Sequence, residues 1–364
     1  MTQEFKAYAA TRAGGPLEPF SFDPGPLGPD EVEVKVTHCG LCHSDLSMLD
    51  NEWGMTTYPF VPGHEAVGTI VALGENARGL KVGQRVGVGW AASSCLSCQQ
   101  CLSGDHNLCP SVRFTIVGRH GAFADRVRAQ WTWVRPMPEG IDYAKAGPLL
   151  CGGVTVFAPF LIHNIPSTAR VGIIGIGGLG HMAVQFANKW GCEVHAFTGS
   201  DGKEEEVRKL GAHFVHNIKR DGTLKSLAGS LDLIISTINV PLDIHGVLGA
   251  LAPRGQLHVA GAILKPMEVP AFDLILGQKS VSGAPAGNPT AIDRMLTFCA
   301  RHSLAPVVEM LPMSKINDAV ERLRSGKAHY RIVLVNEVAK EPSSGSNMKD
   351  NLLKPYKDHE RVGA

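Results

Sequence analysis

The 364-residue chain is expected to fold as an α/β protein of two domains, a mostly β domain followed by a doubly wound parallel sheet. Two observations predict this. Up to Cys151 the sequence strings together short β-branched runs divided by glycines. Beyond Cys151 strand and helix signals alternate, and Gly175-Ile-Gly-Gly-Leu-Gly180 falls between an apolar strand and a helical stretch.

The elements follow in order. Glu-Val-Glu-Val-Lys-Val over Glu31 to Val36 alternates with the period of a half-buried strand. Ala66 to Leu73 and Arg85 to Val88 are short, β-branched and bounded by glycine, with Gly63, Gly68, Gly74, Gly83, Gly87 and Gly89 as punctuation. In the second half Val171 to Ile174 reads as a strand, His181 to Trp190 as a helix and Glu193 to Phe197 as the next strand. Leu231–Ser236 and Gln256–Ala260 continue the alternation. From Ser280 to Pro289 the chain is rich in Gly, Pro and Ser, which predicts a return crossing to the first domain, ending in a strand from Arg331 to Val335. Residues 337–364 are rich in Ser, Lys and Asp with little apolar periodicity, so a disordered or loosely docked tail is expected. No internal repeat is evident.

Composition narrows the function classes. Hydrophobic residues make up 44% and charged residues 19%, as in a soluble protein with large cores. A formal net charge of +1 provides no field to draw nucleic acid or acidic lipid. The N-terminus lacks the apolar segment of a signal peptide, and no apolar run is long enough to span a bilayer. Nine unevenly spaced cysteines suit cytoplasmic thiols and metal ligands better than a disulfide framework.

Four of the cysteines, Cys95, Cys98, Cys101 and Cys109, have the spacing C-x2-C-x2-C-x7-C. Four thiolates in one short segment predict a closed, tetrahedral zinc site that shapes a loop. A second, open site can be drawn from Cys42, His64 and Cys151, with Glu65 beside the histidine. Two thiolates and an imidazole leave a fourth position for water or a carbonyl oxygen. Spacing does not separate Cys42 from its rival Cys39, and Asp45 is a candidate to orient His64.

Gly175, Gly177 and Gly180 match the Rossmann dinucleotide fingerprint in its proper context. The first allows the tight turn, the second lets backbone approach a pyrophosphate and the third allows close helix–strand packing; Gly178 and Leu179 complete the loop. The second strand ends in Thr198 where an NAD site usually carries an acidic residue. The hydroxyls of Thr198 and Ser200 and the ammonium of Lys203 suit a 2′-phosphate, so NADP(H) is the expected cofactor. Asp201 dissents, but it lies late for the ribose and can begin the next helix.

On these residues the chain resembles the zinc-dependent medium-chain alcohol dehydrogenases, in their cinnamyl alcohol dehydrogenase-like branch. Within that branch it is similar to bacterial NADPH-dependent, broad-specificity aldehyde reductases. The likeness runs from about Phe5 to Val335 and is carried by Cys39-Gly-Leu-Cys-His-Ser-Asp-Leu, Asn51-Glu-Trp-Gly, Val61-Pro-Gly-His-Glu, the four-cysteine lobe, Gly147-Pro-Leu-Leu-Cys-Gly-Gly, the glycine loop and Pro312-Met-Ser-Lys-Ile-Asn-Asp-Ala.

The resemblance implies a GroES-like catalytic domain over 1–151 with its zinc lobe at 90–110, a Rossmann domain over 152–286, and a return segment over 287–336. It implies two zinc ions per chain, a homodimer, and aldehyde or primary alcohol substrates, aliphatic and aromatic. It makes Cys42, His64 and Cys151 the catalytic zinc ligands, Cys39 a packed neighbour, and Glu65 a carboxylate that approaches the metal during ligand exchange. Ser44 corresponds to the hydroxyl that handles the proton, His43 to a basic residue at the pyrophosphate, and Thr155 to a contact beside the nicotinamide. Trp53 and Trp90 align with pocket-lining positions. Ser47 stands where many relatives carry a relay histidine, which leaves the outer proton path to water or the ribose hydroxyl. The intact Cys-His-Cys set argues against a polyol dehydrogenase, and the metal residues argue against a zinc-free quinone reductase. A non-catalytic zinc- and NADPH-binding module would have no need of Ser44 and Glu65 beside an open metal position.

Overall fold

The structure, a computed structural model, describes residues 4–199 and 201–337. Ser200 and the segment 338–364 lie outside them, so the expectations for Ser200 and for the tail beyond Glu337 are not addressed by it.

The first domain is built on a seven-stranded sheet whose centre is Glu31–Leu41. This strand pairs antiparallel with Ala66–Leu73, Arg126–Gln130 and Arg331–Val335. Val32, Val34 and Val36 are fully buried in the domain core. Glu33 is buried too, and it is tolerated because Arg126 (2.6 Å) and Arg128 (2.9 Å) donate to its carboxylate. The alternating pattern stops at Val36, yet the strand runs on to Leu41 through an irregularity between Val36 and His38. Hydrogen bonds to two neighbours hold the extension: Cys39 pairs with Ala66 and with Leu334. The extension matters because it delivers Cys42 to the domain edge, where helix His43–Leu49 begins.

The second domain is a six-stranded, wholly parallel sheet. Its spatial order is Phe214–Asn217, Glu193–Thr198, Arg170–Ile174, Leu231–Ser236, Leu251–Val259, Ser280–Gly283. Numbered within the domain this is 3-2-1-4-5-6, with the topological switch point between Arg170–Ile174 and Leu231–Ser236. Alternate residues feed two cores. Ile173, Val194 and Ile235 face one helical layer, and Ile174, Phe197, Ile234 and Leu257 the other.

The segment from Ser280 differs from the expected return crossing at its start. Ser280–Gly283 is the sixth strand of the parallel sheet. Helix Pro289–Arg301 follows, capped by Asn288, whose side chain accepts from Ala291 N–H. Its buried residues Ile292, Met295, Leu296 and Cys299 share a core with Phe157 and Phe186. Only then do Val308–Pro312 and Arg331–Val335 rejoin the first sheet. Glycine, proline and serine masked the strand because its four residues are short and only partly buried. Among the described residues no helix is long and apolar enough to cross a membrane.

Candidate active site

The four lobe cysteines converge: the Sγ atoms of Cys95, Cys98, Cys101 and Cys109 all lie within 4.8 Å of one another. Backbone N–H groups point at the sulfurs, from Cys98 to Cys95 Sγ (3.3 Å) and from Cys95 and Ser111 to Cys109 Sγ (3.4 Å each). Donors aimed at sulfur favour the thiolate form. Those from Ser97 and Cys98 pull the Cys95 pKa down to about 6, whereas burial pushes the Cys101 thiol up to about 11. Four sulfurs in such a nest fit a structural metal ion.

The second cluster brings together ligand atoms of Cys42, His64, Glu65 and Cys151, again within 4.8 Å, and every one of these residues is buried. Cys39 is not in it. Its thiol donates to Gly40 O (3.6 Å), and burial holds its pKa up. Asp45 orients the site from beneath. Its Oδ1 accepts from His64 Nδ1 (2.9 Å) and Gly63 N–H (2.8 Å), and its Oδ2 from Cys42 N–H (2.9 Å). The Nδ1 proton is thereby fixed, and Nε2 of His64 is left buried with no hydrogen-bond partner. Glu65 Oε2 is likewise buried and unpartnered. Orphaned lone pairs beside two thiols cost several kcal/mol unless something binds them, so the donor set fits a zinc ion.

The clustered groups also shift one another's titration. The Cys151 thiol hydrogen bond lowers the Cys42 pKa well below its usual value despite burial, with help from the Arg331 charge, while the same bond and burial raise Cys151. For His64, burial alone would lower the pKa, but the Asp45 charge and hydrogen bond, with Cys42, raise it overall. Burial lifts Glu65 to about 7 against the opposing charge of Arg331.

This cluster opens into a cleft of about 910 Å³ between the domains. Cys42, His43, Ser44, Ser47, Trp53, Cys151 and Thr155 line one side, and Gly175, Gly177, Gly178, Leu179, Thr198 and Lys203 the other. Ser44 Oγ stands 3.8 Å from Cys42 Sγ. Thr155 Oγ1 donates to Cys151 O (2.8 Å), so that hydroxyl is used within its own helix. Trp90 is not among the lining residues. Its ring stands edge-on to His64 (5.0 Å) and to Trp53 (6.1 Å) and tilts onto Phe114 (5.3 Å), so it walls the imidazole from behind.

The glycine loop behaves as its spacing predicts. Gly175 has φ +87, and Thr237 from the neighbouring strand end donates to its carbonyl (2.7 Å). A Cβ on Gly180 would lie 1.8 Å from Gly175 O, whereas one on Gly177 would meet nothing within 4 Å. Gly177 therefore faces open cleft, where a pyrophosphate would approach. Thr198 is buried at the end of its strand, and Asp201 accepts from Asn217 Nδ2 (2.9 Å) and Arg220 (3.0 Å).

Sequence reasoning missed Arg331. It opens a strand that otherwise reads Ile-Val-Leu-Val, and it is fully buried with its guanidinium on Glu65 Oε1. A Cβ on Gly178 would come within 3.1 Å of its side chain, so Arg331 stands between the metal cluster and the dinucleotide loop. The available signal was an arginine inside a buried apolar strand, which requires a buried carboxylate. Tyr330, also unforeseen, stacks on His181 at 4.6 Å.

Known proteins carry the same plan. Residues 28–139 match the alcohol dehydrogenase GroES-like domain, and 178–301 the zinc-binding dehydrogenase family. An aldehyde reductase, AdhA, of Synechocystis is 52% identical over 329 residues, covering 90% of this chain and 98% of that protein. Cinnamyl alcohol dehydrogenase 7 of Arabidopsis thaliana is 36% identical, with coverage of 92% and 96%. Among solved structures, a cinnamyl alcohol dehydrogenase of Sorghum bicolor superposes with TM-score 0.86 at 36% identity, covering 92% and 98% of the two chains. That of Helicobacter pylori, complexed with NADP(H), gives 0.84 at 29%, with coverage of 92% and 99%. The chain thus belongs to the zinc-dependent medium-chain dehydrogenase family, as one of its alcohol dehydrogenases or aldehyde reductases.

Proposed function

We propose that the chain reduces a broad range of aliphatic and aromatic aldehydes to primary alcohols with NADPH, and oxidises the alcohols with NADP⁺. One observation carries the proposal: Cys42 and Cys151 of the buried Cys42–His64–Cys151 cluster line the same cleft as the glycine loop. Cys42, His64 and Cys151 would hold a catalytic zinc, and Cys95, Cys98, Cys101 and Cys109 a second, structural one. When bound, zinc supplies Lewis-acid polarisation of a carbonyl oxygen and NADPH supplies hydride.

The chain's own residues do the rest. Asp45 fixes the His64 tautomer. Ser44, beside Cys42 and open to the cleft, holds the proton exchanged with the substrate oxygen. Glu65 keeps a second carboxylate oxygen at the cluster for ligand exchange, with Arg331 balancing its charge. Trp53, Val240, Ile263 and Leu264 give the cleft an apolar wall, which suits carbon chains and rings of varied shape. Thr198, Ser200 and Lys203 would take the 2′-phosphate, and the Helicobacter relative's NADP(H) complex favours that choice. His43 and Thr155 would flank the pyrophosphate and nicotinamide.

A homodimer is supported by an open sheet edge. Ser280–Gly283 ends the sheet, and Phe272, Ile275 and Leu276 just before it are 72%, 65% and 83% exposed. Unpaired edge groups beside apolar side chains favour pairing with a second copy. Nine free cysteines fit a reducing, cytoplasmic setting.

The test follows oxidation of NADPH and NADH with an aldehyde panel, for wild type and Ser44→Ala. The proposal expects NADPH to be preferred, several aldehydes to be accepted, and Ser44→Ala to cut turnover by about 10²–10⁴-fold. Preference for NADH, or turnover by Ser44→Ala near wild type with hydride transfer rate-limiting, would refute it.

A further inference from the structure

The third strand of the parallel sheet ends beside the second, and this is where the chain departs from a two-hydroxyl, one-lysine phosphate site. Asn217 pairs with Thr198 in the sheet, and Ile218 N–H donates to Thr198 O (2.9 Å). The chain then turns, with Lys219 N–H donating to Asn217 Oδ1 (3.0 Å). This turn lays the Lys219 side chain over Gly199, a cleft-lining residue. A Cβ on Gly199 would lie 3.4 Å from Lys219 Cε and 4.0 Å from its Nζ. Lys203 lines the same end of the cleft. Lys203 and the Lys219 ammonium therefore both stand near the end of the second strand.

The acids of this region are engaged elsewhere. Asp201 accepts from Asn217 and Arg220, Glu204 is paired with Arg208, Glu205 with Lys209 and Glu206 with His329. Asp221, the remaining one, is exposed on the turn. Among the described residues neither Lys203 nor Lys219 has a carboxylate partner. Asp201 is thus held away from the role an acidic residue has in an NAD site. Asn217 and then Arg220 keep its carboxyl below the ordinary carboxylate range.

We infer that Lys219 is a specificity-determining residue that closes on the cofactor's 2′-phosphate opposite Lys203, and that Arg220 and Asn217 are positioning residues that withdraw Asp201 from the ribose. The inference rests on the NADPH reading proposed above and adds the residue that enforces it. A phosphate dianion placed between two unpaired ammonium groups gains two charge-assisted contacts. A free ribose hydroxyl gains neither and finds no carboxylate.

The experiment is calorimetric titration of the zinc-loaded protein with adenosine 2′,5′-bisphosphate and with adenosine 5′-monophosphate, for wild type, Lys219→Ala, Lys219→Arg and Asp201→Asn. Wild type should bind the bisphosphate at least about tenfold more tightly. Lys219→Ala should reduce that ratio by about tenfold, with monophosphate affinity and thermal midpoint unchanged, and Lys219→Arg should restore much of it. Asp201→Asn should leave monophosphate affinity unchanged. A wild-type protein with no preference overturns both this inference and the NADPH reading. A wild-type preference that Lys219→Ala leaves intact overturns this inference alone. A loss of monophosphate affinity in Asp201→Asn makes Asp201 a ribose ligand and overturns the withdrawn-carboxylate account.

Discussion

Replacing Asp45 probes how the cluster is held together. The residue is 1% exposed and accepts three buried hydrogen bonds, from His64 Nδ1, Gly63 N–H and Cys42 N–H. Asp45→Ala strips all three donors of their acceptor, at roughly 1–3 kcal/mol each, or about 3–9 kcal/mol in total. That is comparable with the whole stability of a domain, about 5–15 kcal/mol, so this variant should fold poorly. Asp45→Asn is the informative change. Its one carbonyl oxygen can still face His64 and Gly63, but its amide then meets Cys42 N–H donor to donor. One unsatisfied pair should cost roughly 1–3 kcal/mol, and the lost charge should weaken metal binding by about 10–100-fold. The assay is twofold: urea unfolding of the zinc-loaded protein, and the rate at which a chromophoric chelator removes the first zinc. An Asp45→Asn protein with wild-type midpoint and wild-type metal retention would refute the claim that this carboxylate orients His64.

Two further perturbations separate cofactor binding from folding. Gly177→Ala should leave the free energy of unfolding in urea within about 0.5 kcal/mol of wild type while weakening NADPH binding, because its Cβ meets only the cleft. Gly180→Ala should lose both, since its Cβ overlaps Gly175 O; equal effects of the two, by melting and by cofactor fluorescence, would show that Gly177 does not face the pyrophosphate. His181 supplies a pH test. Its Nδ1 donates to Gly177 O (3.0 Å) and its Nε2 accepts from Val307 N–H (3.1 Å), and burial pushes its pKa down to about 3. Above the unfolded value of about 6.5 both states are neutral. Below it the unfolded chain takes up a proton that the folded chain refuses, so stability is lost as pH falls toward the folded value. From pH 7.5 to pH 5 this amounts to about 2 kcal/mol. His181→Asn should show a smaller acid loss by that amount in urea titrations at the two pH values; an unchanged loss would mean that another group carries it.

The parts legible in the sequence were those whose chemistry is local. Four cysteines within Cys95 to Cys109 announce their own cluster, and Gly175 and Gly180 announce a loop whose geometry needs them, with Gly177 left to face the cleft. Strands Ala66–Leu73, Arg85–Val88 and Leu231–Ser236 appear with the expected bounds, since each is a β-branched run closed by turn residues. What could not be read there depends on distant partners. Glu31–Leu41 overruns its alternating pattern because Ala66 and Leu334, far along the chain, pair with Cys39. The choice of Cys42 over Cys39 is made by that register, which turns one thiol into the cleft and the other into the core. Arg331 was hidden because its counter-charge, Glu65, lies 266 residues away. Lys219 was hidden because Phe214–Asn217, a short half-exposed strand, gives no clear apolar period.

Cys42, His64 and Cys151 should form a metal site distinct from the cysteine lobe and open to the cleft. The most direct measurement is the zinc content of purified wild-type and Cys151→Ser protein, read beside the circular dichroism of each. Wild type should hold two zinc ions per chain and Cys151→Ser one, with the fold of the variant preserved. One zinc in both proteins would leave the lobe as the sole metal site and contradict that expectation.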